Sequence, residues 1–220
     1  MKIRITRDSS LREVLLYLDT NIFLDLTRKR KPDSITLFEN IKKGKYKAAT
    51  STFTLLEFME DEQERLFAER EILGRKKSFD EVRRHMDVRD LTAVELEIIK
   101  VIVNEDIFKP YINTEIIELT YLTSEGWNRA YELQQKLNIS SDDAIHLAMA
   151  DIWGCDVFVT GDDQLRQIGS AFFEPSVMVF STSSEIESKI ETLRKEREPK
   201  EKTLEKKTLI ERKAHKKLES

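Results

Sequence analysis

Cysteine is nearly missing from this chain: Cys155 is the only one. A single thiol excludes an internal disulfide framework and a multi-cysteine zinc site. In an apolar segment it reads as a small inert hydrophobe. Long hydrophobic runs are missing too. No stretch approaches the ~18 apolar residues of a membrane span, so no membrane association is expected. The opening residues, MKIRITRD, are too polar for a secretory leader, which makes a cytoplasmic location the expectation. Positive charge is not in excess either. The formal net charge is −4, so whole-chain charge does not announce a nucleic-acid binder.

What is present suffices for one good-sized domain: 220 residues, 40% of them hydrophobic. Charged residues reach 35%, above the usual quarter or so. They are unevenly spread. Residues 185–220 carry a net charge of +3 and the preceding 184 residues a net of −7. The division read from this is a body over 1–184 and a charged C-terminal helix and tail over 185–220. In an acidic body, a bound metal would invert the local field.

The chain is organised around residues 13–21, EVLLYLDTN. Val14, Leu15, Leu16, Tyr17 and Leu18 form an apolar run of strand length without helical spacing, as suits a strand buried on both faces of a parallel sheet. It stops at Asp19, followed by Thr20 and Asn21, and a second apolar segment begins at Ile22. Asp19 thus stands at the carboxyl end of a strand and just before a helix, where ligands gather in open α/β sheets. Capping of that helix explains it equally well.

Further elements follow in alternation. Lys2–Thr6 alternates weakly and reads as either a short edge strand or a frayed end. Asp33 or Ser34 caps a helix that Gly44 stops. Residues 47–51 read as a strand, and Thr52 as the cap of a helix containing Glu57, between Leu56 and Phe58. Residues 61–109 read as a charged helical insertion with no repeat or chemical motif. Within it Leu96, Ile99 and Val103 share a stripe, and the helical pattern ends around Pro110. A β-rich stretch at 115–121 precedes a helix from Ser124 to Leu137. Ser140 and Asp143 have capping-box spacing, and Gly154 ends the helix they open. Residues 157–160 read as a buried strand followed by Gly161, Asp162 and Asp163. Residues 178–181 read as a fifth strand, and Ser183 or Ser184 caps a last helix with Ile186, Ile190 and Leu193 on one side.

This alternation implies an α/β fold with a mostly parallel sheet of about five strands. In that fold Asp19 and Asp162 emerge at one edge. Asp143 enters the same edge from a helix start and Glu57 from the first turns of another helix. Four carboxylates in one concavity repel unless cations neutralise them. Oxygen-only ligands favour Mg²⁺ or Mn²⁺, and such ions activate water against a phosphodiester. Metal-dependent phosphoryl chemistry is the expectation.

Four pieces then carry a family resemblance: LDTN at 18–21, T-x-x-x-x-E-F at 52–58, SSDDAIHLAMA at 140–150 and VTGDDQL at 159–165. In this order they resemble the PIN-domain nucleases, close to the VapC-type toxin ribonucleases of prokaryotic toxin–antitoxin pairs. The resemblance spans residues 13–183. It implies a PIN-like three-layer α/β/α fold and an acidic quartet of Asp19, Glu57, Asp143 and Asp162, catalytic and metal-holding. Thr20, Asn21 and Thr160 match its supporting polar positions, and Asp142 and Asp163 are adjacent rivals. It further implies a Mg²⁺- or Mn²⁺-dependent endoribonuclease acting on single-stranded or structured RNA, a homodimer, and an antitoxin partner. The long 61–109 segment and the tail depart from the toxins. His146 lies three residues after Asp143 and could touch the site, but it reads as a helix residue and is assigned no catalysis.

Other classes are a non-toxin PIN RNA-processing nuclease and a non-catalytic PIN-like RNA-binding or scaffold module, which would be expected to lose members of the quartet. A haloacid-dehalogenase-type phosphatase would need an acid where Asn21 stands. Because an acidic site repels RNA, basic contacts are expected elsewhere: at Arg28, Lys29, Arg30 and Lys31, and along 200–217.

Overall fold

The structure is a computed structural model, and it describes residues 13–165, 176–179 and 182–196. The apolar run forms β1 (Leu15–Leu18), buried at every position. Its side chains alternate between two cores, as the two-residue period of a strand requires. Leu16 and Leu18 enter one core, Leu15 and Tyr17 the other. The remaining strands are β2 (Lys47–Ser51), β3 (Ile117–Thr120), β4 (Val157–Thr160) and β5 (Ser176–Val179). All pairings are parallel, in the order β3-β2-β1-β4-β5. The expected five-stranded parallel sheet is therefore present, with β1 at its centre. The strand order reverses beside β1, which makes its carboxyl end the topological switch point.

In chain order the helices are α1 (Thr20–Thr27), α2 (Pro32–Lys42), α3 (Thr52–Glu69), α4 (Phe79–Arg83), α5 (Ala93–Ile102), α6 (Ser124–Leu137), α7 (Ser141–Ile152) and α8 (residues 183–196). One core joins the sheet to α1, α2, α3, α5 and α8 through Ile22, Phe23, Leu37, Phe38, Phe58, Ile99 and Ile186. The other joins it to α6 and α7 through Leu133, Ala144, Leu147 and Ala148. Two helical layers thus sandwich the sheet. The alanines of α7 let its backbone approach the sheet closely.

Several boundaries differ from the sequence reading. Ser51, not Thr52, caps α3, accepting from Thr54 N–H. Helix α2 begins at Pro32 itself, with Lys31 as its N-cap; proline is preorganised for a first turn, where its missing N–H costs nothing. Helical turns also run through Pro110. After α5 the chain widens into π turns over Val103–Ile112, and Asn113 N–H bonds Phe108 O, five residues back. The described part of the fifth strand, Ser176–Val179, overlaps the span read from the sequence at Met178 and Val179.

The 61–109 segment packs on the body. Leu66, Ile99, Val103 and Ile107 belong to the first core. Leu96, expected on the stripe of Ile99 and Val103, is 51% exposed. The cause is Glu95, which accepts from Thr92 N–H and hydroxyl and from the Arg70 guanidinium. Those bonds turn Glu95 inward and rotate Leu96 out. The readings of Lys2–Thr6 as a strand and of 197–220 as a tail lie outside the described residues.

Candidate active site

Asp19 follows β1 and caps α1, so the capping role and a site role coincide in one carboxylate. It is buried. Its Oδ1 accepts from Thr20 N–H at 2.8 Å, and its Oδ2 from Asn21 Nδ2 at 2.9 Å and Thr160 Oγ1 at 2.6 Å. Three donors fix the carboxylate at the switch point. The same Thr160 hydroxyl accepts from Asp162 N–H at 3.0 Å, which ties the end of β4 to Asp19. Gly161 passes close by: a Cβ there would stand 3.2 Å from Asn21 Cβ, so a side chain would push against Asn21.

Glu57 comes from the second turn of α3 and points into the site rather than along the wet face with Glu60 and Glu64. Its Oε2 accepts from Thr20 Oγ1 at 2.5 Å and meets His146 Nε2 at 2.5 Å. Burial works to raise the Glu57 pKa, but the hydrogen bond and charge of His146 outweigh it and hold the carboxyl below its ordinary value. Burial likewise works to lower the pKa of His146, and the bond to Glu57 with the charges of Asp19, Glu57 and Asp143 reverses this and raises it.

Asp143 sits in the first turn of α7. Ser140 caps the helix and its hydroxyl donates to Asp143 Oδ2 at 2.7 Å. The Asp143 pKa is raised, chiefly by burial, with the negative charges of Asp162 and Asp19 adding to it. Three of the acids therefore feel one another. Asp143 and Asp162 are partly buried, whereas their rivals Asp142 and Asp163 are exposed.

His146, given no catalytic role on sequence grounds, stands inside the site. It is 3% exposed, with Nε2 also 3.8 Å from Asp19 Oδ1. The donor atoms of Asp19, Glu57 and His146 lie within 4.8 Å of one another, the one such grouping among the described residues. The signal was its spacing: three residues beyond Asp143 puts it on the same face of α7, one turn deeper. The donor set suits a divalent cation, because anionic oxygens crowd one another here, and hydroxyl, amide and histidine donors hold them without a full compensating charge.

The basic residues stand apart. Arg28, Lys29, Arg30 and Lys31 follow the last turn of α1, whose eight residues carry them about 12 Å from Asp19. Arg28 pairs with Asp61 and with buried Glu62, and Lys31 with buried Asp25. Lys29 and Arg30 are exposed.

Residues 88–171 match the PIN domain family, in line with the resemblance carried by the four motifs. No curated protein matches the chain. Among solved structures it is similar to a toxin–antitoxin complex from Klebsiella pneumoniae (16% identity, 76% of this chain and 98% of that one, TM-score 0.42). It is similar to VapBC2 from Rickettsia felis bound to a promoter DNA fragment (15%, 73% and 98%, 0.43). A third is FitAcB from Neisseria gonorrhoeae (13%, 76% and 96%, 0.46).

Proposed function

From the PIN-domain match over residues 88–171, we propose that this chain is a metal-dependent endoribonuclease, with Asp19, Glu57, Asp143 and Asp162 as its catalytic and metal-holding acids. One observation carries the reading: carboxylates from four separate elements converge at the switch point, closely enough that Asp162 and Asp19 raise the pKa of Asp143. A bound Mg²⁺ or Mn²⁺ would activate water and neutralise the scissile phosphate. The chain's own residues supply the frame. Thr160 and Asn21 hold Asp19, Thr20 holds Glu57, and Ser140 holds Asp143. Each carboxylate is thereby oriented before a ligand arrives, which lowers the cost of organising the site.

RNA as substrate, and a place in a toxin–antitoxin pair with an antitoxin partner, rest on the resemblance of the motifs. The 61–109 segment and the extension beyond residue 184 favour a second reading, a PIN RNA-processing nuclease outside such a pair. A body over 1–184, a charged C-terminal region over 185–220, a homodimer and a cytoplasmic location complete the proposal. The test incubates the full chain with labelled RNA, labelled DNA and a phosphomonoester, in Mg²⁺, Mn²⁺ or EDTA. Cleavage of RNA only, abolished by EDTA, supports the reading. Binding of RNA without cleavage in either metal would make the chain a scaffold module.

A further inference from the structure

We propose that His146 is itself a metal ligand through Nε2, and that the Asp19–Glu57–His146 half of the site is a mixed nitrogen–oxygen site favouring Mn²⁺ over Mg²⁺. This rests on the nuclease reading for the presence of a metal, and it adds a ligand and a selectivity to it.

The geometry permits a shared ion. Donors around one ion at ~2.1 Å stand roughly 3 Å apart when adjacent and ~4.2 Å when opposite. Here Nε2 is 2.5 Å from Glu57 Oε2 and 3.8 Å from Asp19 Oδ1, with all three donors inside 4.8 Å. Shifts of a few tenths of an ångström close the set.

The second observation is how the imidazole is held. Its Nδ1 lies 3.1 Å from Tyr17 OH, and Tyr17 donates its own proton to Ser51 Oγ at 2.8 Å. The phenol oxygen is left to accept from Nδ1–H, which leaves Nε2 as the nitrogen that faces the carboxylates. A ligating histidine is usually fixed this way, by a partner on its other nitrogen. Tyr17 cannot turn aside: it is fully buried and stacked on Phe158 at 5.3 Å. Phe53 packs edge-on against the imidazole at 5.2 Å. In the metal-free chain a proton on Nε2 bridges to Glu57 Oε2, and a divalent cation held by Glu57 and Asp19 would take that proton's place, with a proton released on binding.

Selectivity follows from the donor. Mg²⁺ is hard and prefers oxygen, whereas an imidazole raises the relative affinity of transition ions. Asp143 and Asp162 remain an oxygen-only pair.

The test uses the full, metal-free chain. Pulsed electron paramagnetic resonance on the Mn²⁺-loaded protein should show modulation from an imidazole ¹⁴N, replaced by the ¹⁵N pattern when histidine alone is labelled. The chain has three histidines, and His85 lies outside the site. Calorimetric titration with each metal alone should show His146→Gln weakening Mn²⁺ at least about tenfold and Mg²⁺ little. No nitrogen coupling in the unsubstituted protein overturns the proposal, whether or not the variant folds. Equal losses for both ions overturn the selectivity. Nitrogen coupling without RNA cleavage upholds this ligand and removes the nuclease reading; cleavage in Mn²⁺ without coupling does the reverse.

Discussion

Thr20 Oγ1 and His146 Nε2 converge on one oxygen, Glu57 Oε2, each 2.5 Å away. Three elements, α1, α3 and α7, are therefore joined through a single carboxylate at the carboxyl end of the sheet. Glu57→Gln should abolish cleavage, since it removes the charge that two donors orient. Thr20→Val should lower kcat about tenfold, by analogy with the loss of partners that orient ligands, while Thr20→Ser restores most of it. Circular dichroism should show both Thr20 variants folded. Undiminished activity in Glu57→Gln would remove Glu57 from the site.

The doubled acids separate by burial. Asp143 and Asp162 are partly buried and Asp142 and Asp163 exposed, so Asp143→Asn and Asp162→Asn should each cost at least ~100-fold in kcat/KM, beyond the loss seen for outer partners. Asp142→Asn and Asp163→Asn should stay near the unsubstituted rate. The raised pKa of Asp143 also has a thermodynamic sign. Its charged form is disfavoured in the folded, metal-free chain, so the contribution of Asp143 to stability is full below its ordinary value of 3.8 and is lost as pH rises through the raised one. Metal-free Asp143→Asn should therefore melt higher than the unsubstituted chain at neutral pH, and saturating Mn²⁺ should reverse that order. A lower melting temperature for the metal-free variant would contradict the crowding of the acids.

Legibility tracked how strongly each residue's neighbours constrain it. The run before Asp19 could only be a buried strand, and the small, apolar face of α7 could only meet a sheet, so the fold and the edge holding the acids were readable. Glu57 was placed at that edge by its position in the first turns of a helix, although its spacing with Glu60 and Glu64 also fits a wet helix face; the packing of α3 against α1 and α7 is what turns it inward. His146 was given no role, since its partner on Nδ1 is Tyr17, 129 residues away. Leu96 misled because a charged residue, Glu95, takes the inward place through tertiary ion pairing. Pro110 misled because a proline removes one N–H donor without always ending a helix, and here helical turns run past it to Ile112.

Another buried acid, Glu71, contributes a pH dependence of the opposite sign. Glu71 is 1% exposed and meets Lys77, Arg75 and Arg70. Chiefly through Lys77, with Arg70 and Arg75 adding, its pKa is lowered from 4.5 to about 2. A depressed carboxyl contributes stability that is present above the unfolded value and lost as pH falls through the folded one. The melting-temperature gap between the unsubstituted chain and Glu71→Gln should hold above pH 4.5 and close toward pH 2. A gap independent of pH would assign the loss to packing instead.

The basic residues after α1 should divide in their effect on RNA. Arg28 is committed to Asp61 and Glu62, so Arg28→Ala should lower the melting temperature and leave the salt dependence of RNA binding alone. Lys29 and Arg30 are exposed. Replacing both with Ala should flatten the slope of log K against log salt by about 1.4, at ~0.7 per phosphate contact on a single strand. An unchanged slope would move the electrostatic handle elsewhere.

The proposed homodimer has a candidate face on α5. The buried side of α5 holds Glu95, Ile99 and the adjoining Val103, yet Val94, Ile98 and Val101 are 69%, 40% and 49% exposed. At 100° per residue these three fall within a narrow arc, nearly opposite the core-facing side. A helix apolar on two faces needs a second partner. A symmetric contact would let the stripe meet its own copy, and about 800 Å² per subunit is the usual size of a stable interface; α5 alone is too short for that, so exposed Leu73, Phe79 and Val88 in the same 61–109 segment are expected to join. Light scattering at micromolar concentration should give twice the mass of 25.8 kDa for the unsubstituted chain and the single mass for Val94→Glu/Val101→Glu. Both substitutions lie on solvent, so the variant should keep its fold and its Mn²⁺ affinity. A monomer in the unsubstituted chain would end the dimer proposal, and a dimer that survives the paired substitution would place the interface off α5.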